Sequence, residues 1–331
     1  MEILLNDSIP ITAWKEFLLK NKHSTPFQSP EFYNLFNSVK NLSAHAIAVY
    51  DSGIINALAV ITLQRESGFK GYFSRRAIIY GGVLVNDQKE ITLEILLDKI
   101  SCVTKRKAIY IETRNFSDYK IYNDIFRKAG YKLIPTINFQ IDTTDLERLS
   151  KSVSASRLRQ IKKTQKQNVR WKVADSIDEI RIFYAILTNL YNKRIRKPLF
   201  PFEFFENFFR SDLGKYLLVL YNGIIIGGIM CPIIEGRSIY EFYICGLDGE
   251  YKEQYPSVMA TWAAIEYANQ NNIPLFDFMG AGKPDEAYGV REFKARFGGK
   301  QVEYGRFLKI NNPILYQTGK LALKCGKLIK G

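Results

Sequence analysis

Histidine is nearly absent from this chain. His23 and His45 are the only two in 331 residues, and neither has a Cys or His neighbour at a ligating spacing. A zinc site built from His and Cys is therefore not expected, and neither is a redox cofactor. The four cysteines (Cys102, Cys231, Cys245, Cys325) are scattered without a C-x-x-C pair. Cys231 and Cys245 sit in apolar runs and read as buried free thiols. No G-x-S-x-G nucleophile motif occurs, and with so little histidine a hydrolase triad is disfavoured. No apolar run reaches about 18 residues, the length needed to span a bilayer. The first ten residues carry Glu2 and Asp7 and lack the basic-then-apolar order of a secretory signal, so a cytoplasmic location is expected.

What the chain has in excess is positive charge. Its formal net charge is +14, which favours anionic partners such as nucleic acid, phosphorylated small molecules or an anionic membrane face. The charge is concentrated. Lys151–Lys172 holds eight basic residues and no acidic one. Capped by Ser154 or Ser156, this stretch reads as a helix with Leu158 and Ile161 inward and Arg159, Lys162, Lys163 and Lys166 outward. Such a face is either simply solvated or neutralised by a counter-anion, and like charges without a carboxylate favour the second.

Length and apolar content suit two domains. The first half reads as a helix over 12–22 capped by Thr12 and a short helix over 31–39. Strands follow at 46–50 and 56–62 about an Asp51-Ser52-Gly53 turn, then a strand over 77–85 interrupted by Gly81-Gly82. A helix over 91–103, a strand over 108–113, a helix over 119–129 and a strand over 137–141 complete it. From Ser150 a similar order restarts: strand 169–173, helices 177–192 and 201–210, and antiparallel strands 216–221, 224–234 and 238–245. A helix over 256–269, a strand over 275–278, a helical turn over 290–296, a strand over 303–308 and a lysine-rich helix over 313–329 end the chain. The shared order of elements suggests duplication, although no residue-level repeat is evident.

Several segments look like one family. LFDFMGAGKPDEAYGVREFKARFGG (Leu275–Gly299) resembles the D-F-x-G…G-V-x-x-F-K-x-x-F-G signature of FemABX-type peptidoglycan-bridge aminoacyltransferases and related BioF-type acetyltransferase-like proteins. SASRLRQIKKTQKQNVRW (Ser154–Trp171) and LYNKRIRKPLFPFEFFENFF (Leu190–Phe209) resemble two further stretches of that family. TPFQSPEF (Thr25–Phe32) and RRAIIYGGVLV (Arg75–Val85) look similar to its first-domain motifs. The resemblance implies an α/β (α+β) protein of two tandem GNAT-like domains, each a mixed, mostly antiparallel sheet flanked by helices. These would span 1–148 and 149–308, with 309–331 packing back on the first. Two departures stand out: no coiled-coil insertion lies between Ile177 and Phe209, and Glu112-Thr113-Arg114-Asn115 replaces an Asp-Pro that follows a first-domain strand in some members.

The implied activity is transfer of an amino acid from aminoacyl-tRNA to the amino group of a nucleotide- or lipid-linked peptidoglycan precursor. The alternative is an acyl-CoA-dependent N-acyltransferase acting on a sugar or nucleotide-sugar amine in surface polysaccharide synthesis. Transfer to an amine needs a held carbonyl and a stabilised oxyanion. Lys294, with Arg291 on the same helix face at i,i+3, is the first candidate to bind a phosphate or that oxyanion; otherwise it reads as a solvated surface lysine. Arg194, with Lys193 and Lys197, ends a helix before Pro198; it reads either as a phosphate clamp or as a cationic helix cap. Asp277, Gly280 and Lys283 are candidate substrate contacts: Asp277, at a strand end, reads as orienting backbone rather than as a base, and Gly280 to Lys283 after it as a plain turn or a close approach to phosphate. Gln28 and Ser29 come from the first-domain motif as substrate contacts. Arg157, Arg159, Lys162, Lys163 and Lys166 are the candidate tRNA or phosphate contacts. Glu112 and Glu241 are strand-borne carboxylates that would suit a general base. The residues before Pro256, Glu250-Tyr251-Lys252-Glu253-Gln254-Tyr255, lack the glycines of an acyl-CoA pyrophosphate cradle, which favours the tRNA donor. The last helix, with Lys320, Lys324, Lys327 and Lys330 beside Leu321, Leu323, Leu328 and Ile329, either packs on the first domain or makes peripheral contact with the inner membrane face.

Overall fold

A computed structural model describes residues 1–66, 68, 70–86 and 90–328, without the side chains of Lys70 or of residues beyond 321. The side chains of Leu323, Lys324, Cys325, Lys327 and Leu328 are thus not described, and Ile329 and Lys330, expected on the same helix, lie outside the described residues. The chain forms two compact units, Met1–Pro135 with Tyr304–Gly331, and Thr136–Glu303.

The first unit runs β1 (Glu2–Leu5), α1 (Ile11–Lys20), α2 (Pro30–Asn37), β2 (Leu42–Asp51), β3 (Ile54–Gln64), α3 (Lys70–Ser74), β4 (Arg76–Gly81), β5 (Leu84–Val85), α4 (Glu90–Thr104), β6 (Tyr110–Asn115), α5 (Asn123–Lys128) and β7 (Lys132–Ile134). The second runs β8 (Asn138–Asp142), α6 (Leu146–Ser152), α7 (Ala155–Lys166), β9 (Arg170–Val173), α8 (Ile177–Leu190), α9 (Phe202–Phe209), β10 (Gly214–Tyr221), β11 (Ile224–Ile234), β12 (Ser238–Tyr240), β13 (Tyr243–Gly246), α10 (Pro256–Gln270), β14 (Leu275–Asp277), α11 (Gly289–Ala295) and β15 (Lys300–Val302). The chain then adds β16 (Arg306–Ile310) and α12 (Pro313–Leu328) to the first unit.

In the first unit the strand order is β1-β2-β3-β4-β6-β16-β7, with β5 on β3. All pairs are antiparallel except β4 with β6. Alternation along the strands sorts the side chains by face. Ile47, Val49, Ala59, Ile61, Ile79 and Ile111 form one core with Leu93, Leu96, Leu97 and Ile100, the apolar stripe of α4. On the other face Tyr80 meets the rings of Phe27 and Phe32. β16 enters between β6 and β7 and lays Phe307 flat on Phe126, with ring centroids 3.8 Å apart.

The second unit has the order β15-β8-β14-β12-β11-β10-β9, with β13 on β11. Here too one adjacent pair, β12 with β14, is parallel. α10 is buried around most of its circumference, from Val258 and Met259 to Trp262 and Ile265, so it fills the core rather than skirting it.

Three details differ from the sequence reading. The first helix begins at Ile11 with Pro10 at its N-cap, not at Thr12. The strand expected over 303–308 begins only at Arg306, and a separate short strand, β15, ends before it at Val302. Between them Gly305, at φ +68°, turns the chain where a Cβ would stand 2.7 Å from Leu133 Cδ1. The strand expected over 238–245 is broken in the middle, and this break builds the site.

Candidate functional site

β12 and β14 run side by side from Ser238↔Leu275 to Tyr240↔Asp277. There they part. The Glu241 N–H still donates to the Asp277 carbonyl (2.9 Å), but the Phe242 N–H turns to Met230 (3.1 Å), and β13 continues on β11 alone. Among the described residues the other edge of β13 has no strand partner. Beyond Tyr240 and Asp277 the sheet therefore opens between β13 and β14.

Three charged side chains lie buried at the root of this opening: Glu241, Asp277 and Lys294. Lys294 Nζ meets Glu241 Oε1 at 2.9 Å, the Phe278 carbonyl at 2.7 Å and the Gly280 carbonyl at 2.9 Å. An ammonium has three donors, and all three are used. Asp277 accepts from Asn138 Nδ2 (2.9 Å), Gln140 Nε2 (2.8 Å) and the Met279 N–H (2.6 Å). Asn138 and Gln140 are two apart on β8 and so reach the same carboxylate from one face. Burial pushes both carboxyls above their ordinary values. Lys294 opposes this at Glu241, and the amide donors oppose it at Asp277.

Arg291 shares the face of Lys294, as the i,i+3 spacing requires, but both bind the chain's own loop. Arg291 donates to the carbonyls of Ala281 (3.1 Å), Pro284 (3.1 Å) and Lys283. Lys283 pairs with Glu286 at 2.9 Å, and the Gly280 N–H donates to Asn138 Oδ1 at 2.7 Å. The segment from Phe278 to Pro284 is thus laced to α11 and β8. The structure places Lys294, Arg291, Asp277 and Gly280 together, as holders of a loop rather than as groups open to a ligand.

The other expected residues separate. Gln28 is fully buried in the first unit. Its amide donates to the carbonyls of Tyr80 (3.3 Å) and Gly82 (3.1 Å), and its oxygen accepts from the Thr25 N–H (2.8 Å). Ser29 caps α2 through the Phe32 N–H. Both side chains are thus engaged within the first unit. Arg157 does not line the basic face either. It is 3% exposed, lies 4.5 Å from the rings of both Phe293 and Phe297, and donates to Gln160 and the Phe293 carbonyl. Burial and Arg296 push its pKa down to about 10.

Arg159, Lys162, Lys163 and Lys166 do share a surface. With Gln167 they line an open groove of about 400 Å³ along α7. Ser154 caps this helix, as expected. Lys163 is paired with Glu253, and Gln167 with Gln254 at 3.3 Å, so the groove runs beside the start of α10. Lys193 and Arg194 are exposed on a π-helical turn, Tyr191–Ile195, closed by an Arg196 N–H to Tyr191 bond of 2.7 Å, and Lys197 is exposed just beyond it. Tyr191 rests on Tyr243 of β13, ring centroids 6.1 Å apart, which sets these cations beside the opened strand.

One residue the sequence reading passed over bears on the donor. Asp248 sits at the N-terminus of α10, where Oδ1 accepts the Ser257 N–H (3.1 Å) and Oδ2 the Ser257 hydroxyl. The positive end of the helix, the usual cradle of a pyrophosphate, holds the protein's own carboxylate. The space is tight as well: a Cβ on Gly246 would stand 2.7 Å from the Ser257 nitrogen. The Asp248-Gly249 turn was the available signal.

Glu112, the other strand-borne candidate base, belongs to the first unit and bridges Arg114 and Arg306. Among the described residues no cluster of three or more His, Cys, Asp or Glu side chains stands ready for a metal, and no helix is long and apolar enough to cross a membrane.

Residues 229–324 match the model of the FemAB family. No curated protein has a sequence similar enough to match. Among solved structures, the chain is similar to that of FemX, at 14% identity and TM-score 0.72, over 96% of this chain and 99% of that one. It is similar to the C-terminal domain of a putative lysylphosphatidylglycerol synthetase from Agrobacterium fabrum, at 11% identity and TM-score 0.62, over 96% of each. It is also similar to a tandem GNAT protein from the clavulanic acid biosynthesis pathway, at 10% identity and TM-score 0.57, over 94% and 99%. At these identities the solved structures establish the tandem GNAT-like fold, and the FemAB match covers the segment that builds the opened sheet.

Proposed function

We propose that this FemABX-type tandem GNAT-like protein, an acyltransferase, moves an amino acid from aminoacyl-tRNA to the amino group of a peptidoglycan precursor. The observation that carries this choice of donor is Asp248. It fills the α10 N-terminus that an acyl-CoA pyrophosphate would need, while α7 beside it offers Arg159, Lys162 and Lys166 to a longer phosphate chain.

In this reading the aminoacyl ester lies along the edge of β13 away from β11. The acceptor amine attacks the ester carbonyl; the C–N bond forms, the C–O bond to the ribose breaks, and the amine's proton leaves with the ribose hydroxyl. Backbone N–H groups of the opened strand stabilise the developing oxyanion. Lys294 acts by holding Phe278, Gly280 and Glu241 in place, which makes it a positioning residue. Lys193, Arg194 and Lys197, flanking Tyr243, meet phosphates of donor or acceptor.

The test is transfer from a mixed charged-tRNA pool and from acetyl-CoA, side by side, to a precursor-peptide acceptor read by mass spectrometry. Product from tRNA alone is expected. Product from acetyl-CoA alone overturns the proposed donor and returns the chain to N-acylation of a small amine.

A further inference from the structure

The first unit carries a second concentration of positive charge, unlike the one on α7 because it lies in a sheet and is partly shielded. Along β6 the side chains of Tyr110, Glu112 and Arg114 alternate with buried Ile111 and Thr113, so the three share the face turned away from the α4 core. The register sets Arg306 of β16 opposite Arg114, and Arg76 of β4 opposite both Tyr110 and Gln64.

Arg114 Nε (2.7 Å) and Arg306 Nη1 (3.2 Å) converge on the same oxygen of Glu112. Arg76 Nε meets only the neutral Gln64 Oε1, at 3.1 Å. The charged and titratable groups acting on this patch are thus three guanidinium groups, one carboxylate and the phenols of Tyr80, Tyr110 and Tyr316. Among the described residues the excess is two positive charges. The side chains of Arg114, Arg306 and Glu112 are 30%, 27% and 19% exposed, so a ligand reaches them while water screens them incompletely. Holding like charges together there is costly without a counter-anion. Repulsion from Arg114, added to burial, lowers the pKa of Arg306.

We propose that Arg76, Arg114 and Arg306 form an anion site for a phosphate group, as a monoester or a diphosphate. Two negative charges balance the excess, and guanidinium forks match phosphate oxygens in pairs. Tyr80, over which Arg114 lies at 5.0 Å, and Tyr110 give the site aromatic walls. The site is independent of the donor reading above, since no residue of α7, α10 or α11 contributes to it.

The experiment is calorimetric titration of the full chain at constant ionic strength with sodium pyrophosphate and, separately, with a nucleoside diphosphate. The background is Arg159→Gln/Lys162→Gln/Lys166→Gln, which removes the α7 groove as a competing site. Saturable binding of pyrophosphate is expected. Arg76→Gln should weaken it about tenfold or more, as loss of a charged hydrogen bond does. Glu112→Gln should tighten it, because it removes the competing carboxylate. Tighter binding of the nucleoside diphosphate assigns the site to a phosphate carried on an organic ligand; equal binding assigns it to the inorganic anion. Absence of saturable binding, or an affinity that neither substitution moves, overturns the proposal.

Discussion

Lys294 was the leading candidate from sequence for meeting an oxyanion, and its three donors are spent on Glu241, Phe278 and Gly280. Its removal should therefore damage stability before chemistry. Lys294→Met leaves Glu241 buried and unpaired, an expected loss of about 3–5 kcal/mol in urea unfolding. Adding Glu241→Gln should recover much of that loss, because the orphaned charge is gone. A single variant as stable as the wild type would show that Lys294 is not a tie. The pH dependence follows from the same burial. The folded pKa of Glu241 lies above its ordinary 4.5, so between the two values the folded chain holds a proton the unfolded chain has released. The contribution is complete below pH 4.5 and is lost as pH rises through the folded value. Glu112 behaves oppositely: Arg114 and Arg306 lower its pKa, so its contribution is present above 4.5 and is lost as pH falls through the folded value. Unfolding midpoints measured against pH should flatten above 4.5 in Glu241→Gln and below 4.5 in Glu112→Gln.

At the scale of elements, the proposed choice of donor rests on the start of α10. Asp248→Ala should cost about 0.5–2 kcal/mol, the worth of a helix cap. Gly246→Ala, with a Cβ 2.7 Å from the Ser257 nitrogen, should cost about 1–3 kcal/mol through overpacking. Chemical denaturation reads both, and an unchanged midpoint in both would mean that this helix end is loose. Elements set by local pattern were legible in the sequence: the hairpin at Asp51-Ser52-Gly53, the Ser154 cap, and the helix of 256–269, found here as Pro256–Gln270. The break at Glu241-Phe242 was not. Ser238–Cys245 is apolar enough for one strand, and only pairing with β14 on one side and β11 on the other divides it. Arg157 was misplaced for a different reason. It is buried with Ile161 and Thr164, at i, i+4 and i+7, so the helical period pointed inward while its charge suggested the surface.

For the molecule as a whole, a net charge of +14 favours anionic partners but does not say where they would sit. Position depends on which cations already have a partner. Arg157 is enclosed by Phe293 and Phe297, Arg291 is bound to its own loop, and Lys163 is paired with Glu253. Arg159, Lys162 and Lys166 remain on the α7 groove. This selection makes a quantitative forecast for tRNA. Each neutralised phosphate contributes about 0.7–0.9 to the slope of log affinity against log salt. Arg159→Gln/Lys162→Gln/Lys166→Gln should therefore reduce that slope by about 2–3. Arg157→Gln should leave the slope unchanged while lowering stability, because its guanidinium faces two rings rather than solvent. Filter binding across a salt series measures both slopes. Equal slopes for the triple variant and the wild type would make α7 a solvated face and move the phosphate path to the turn that carries Lys193 and Arg194, beside Tyr243.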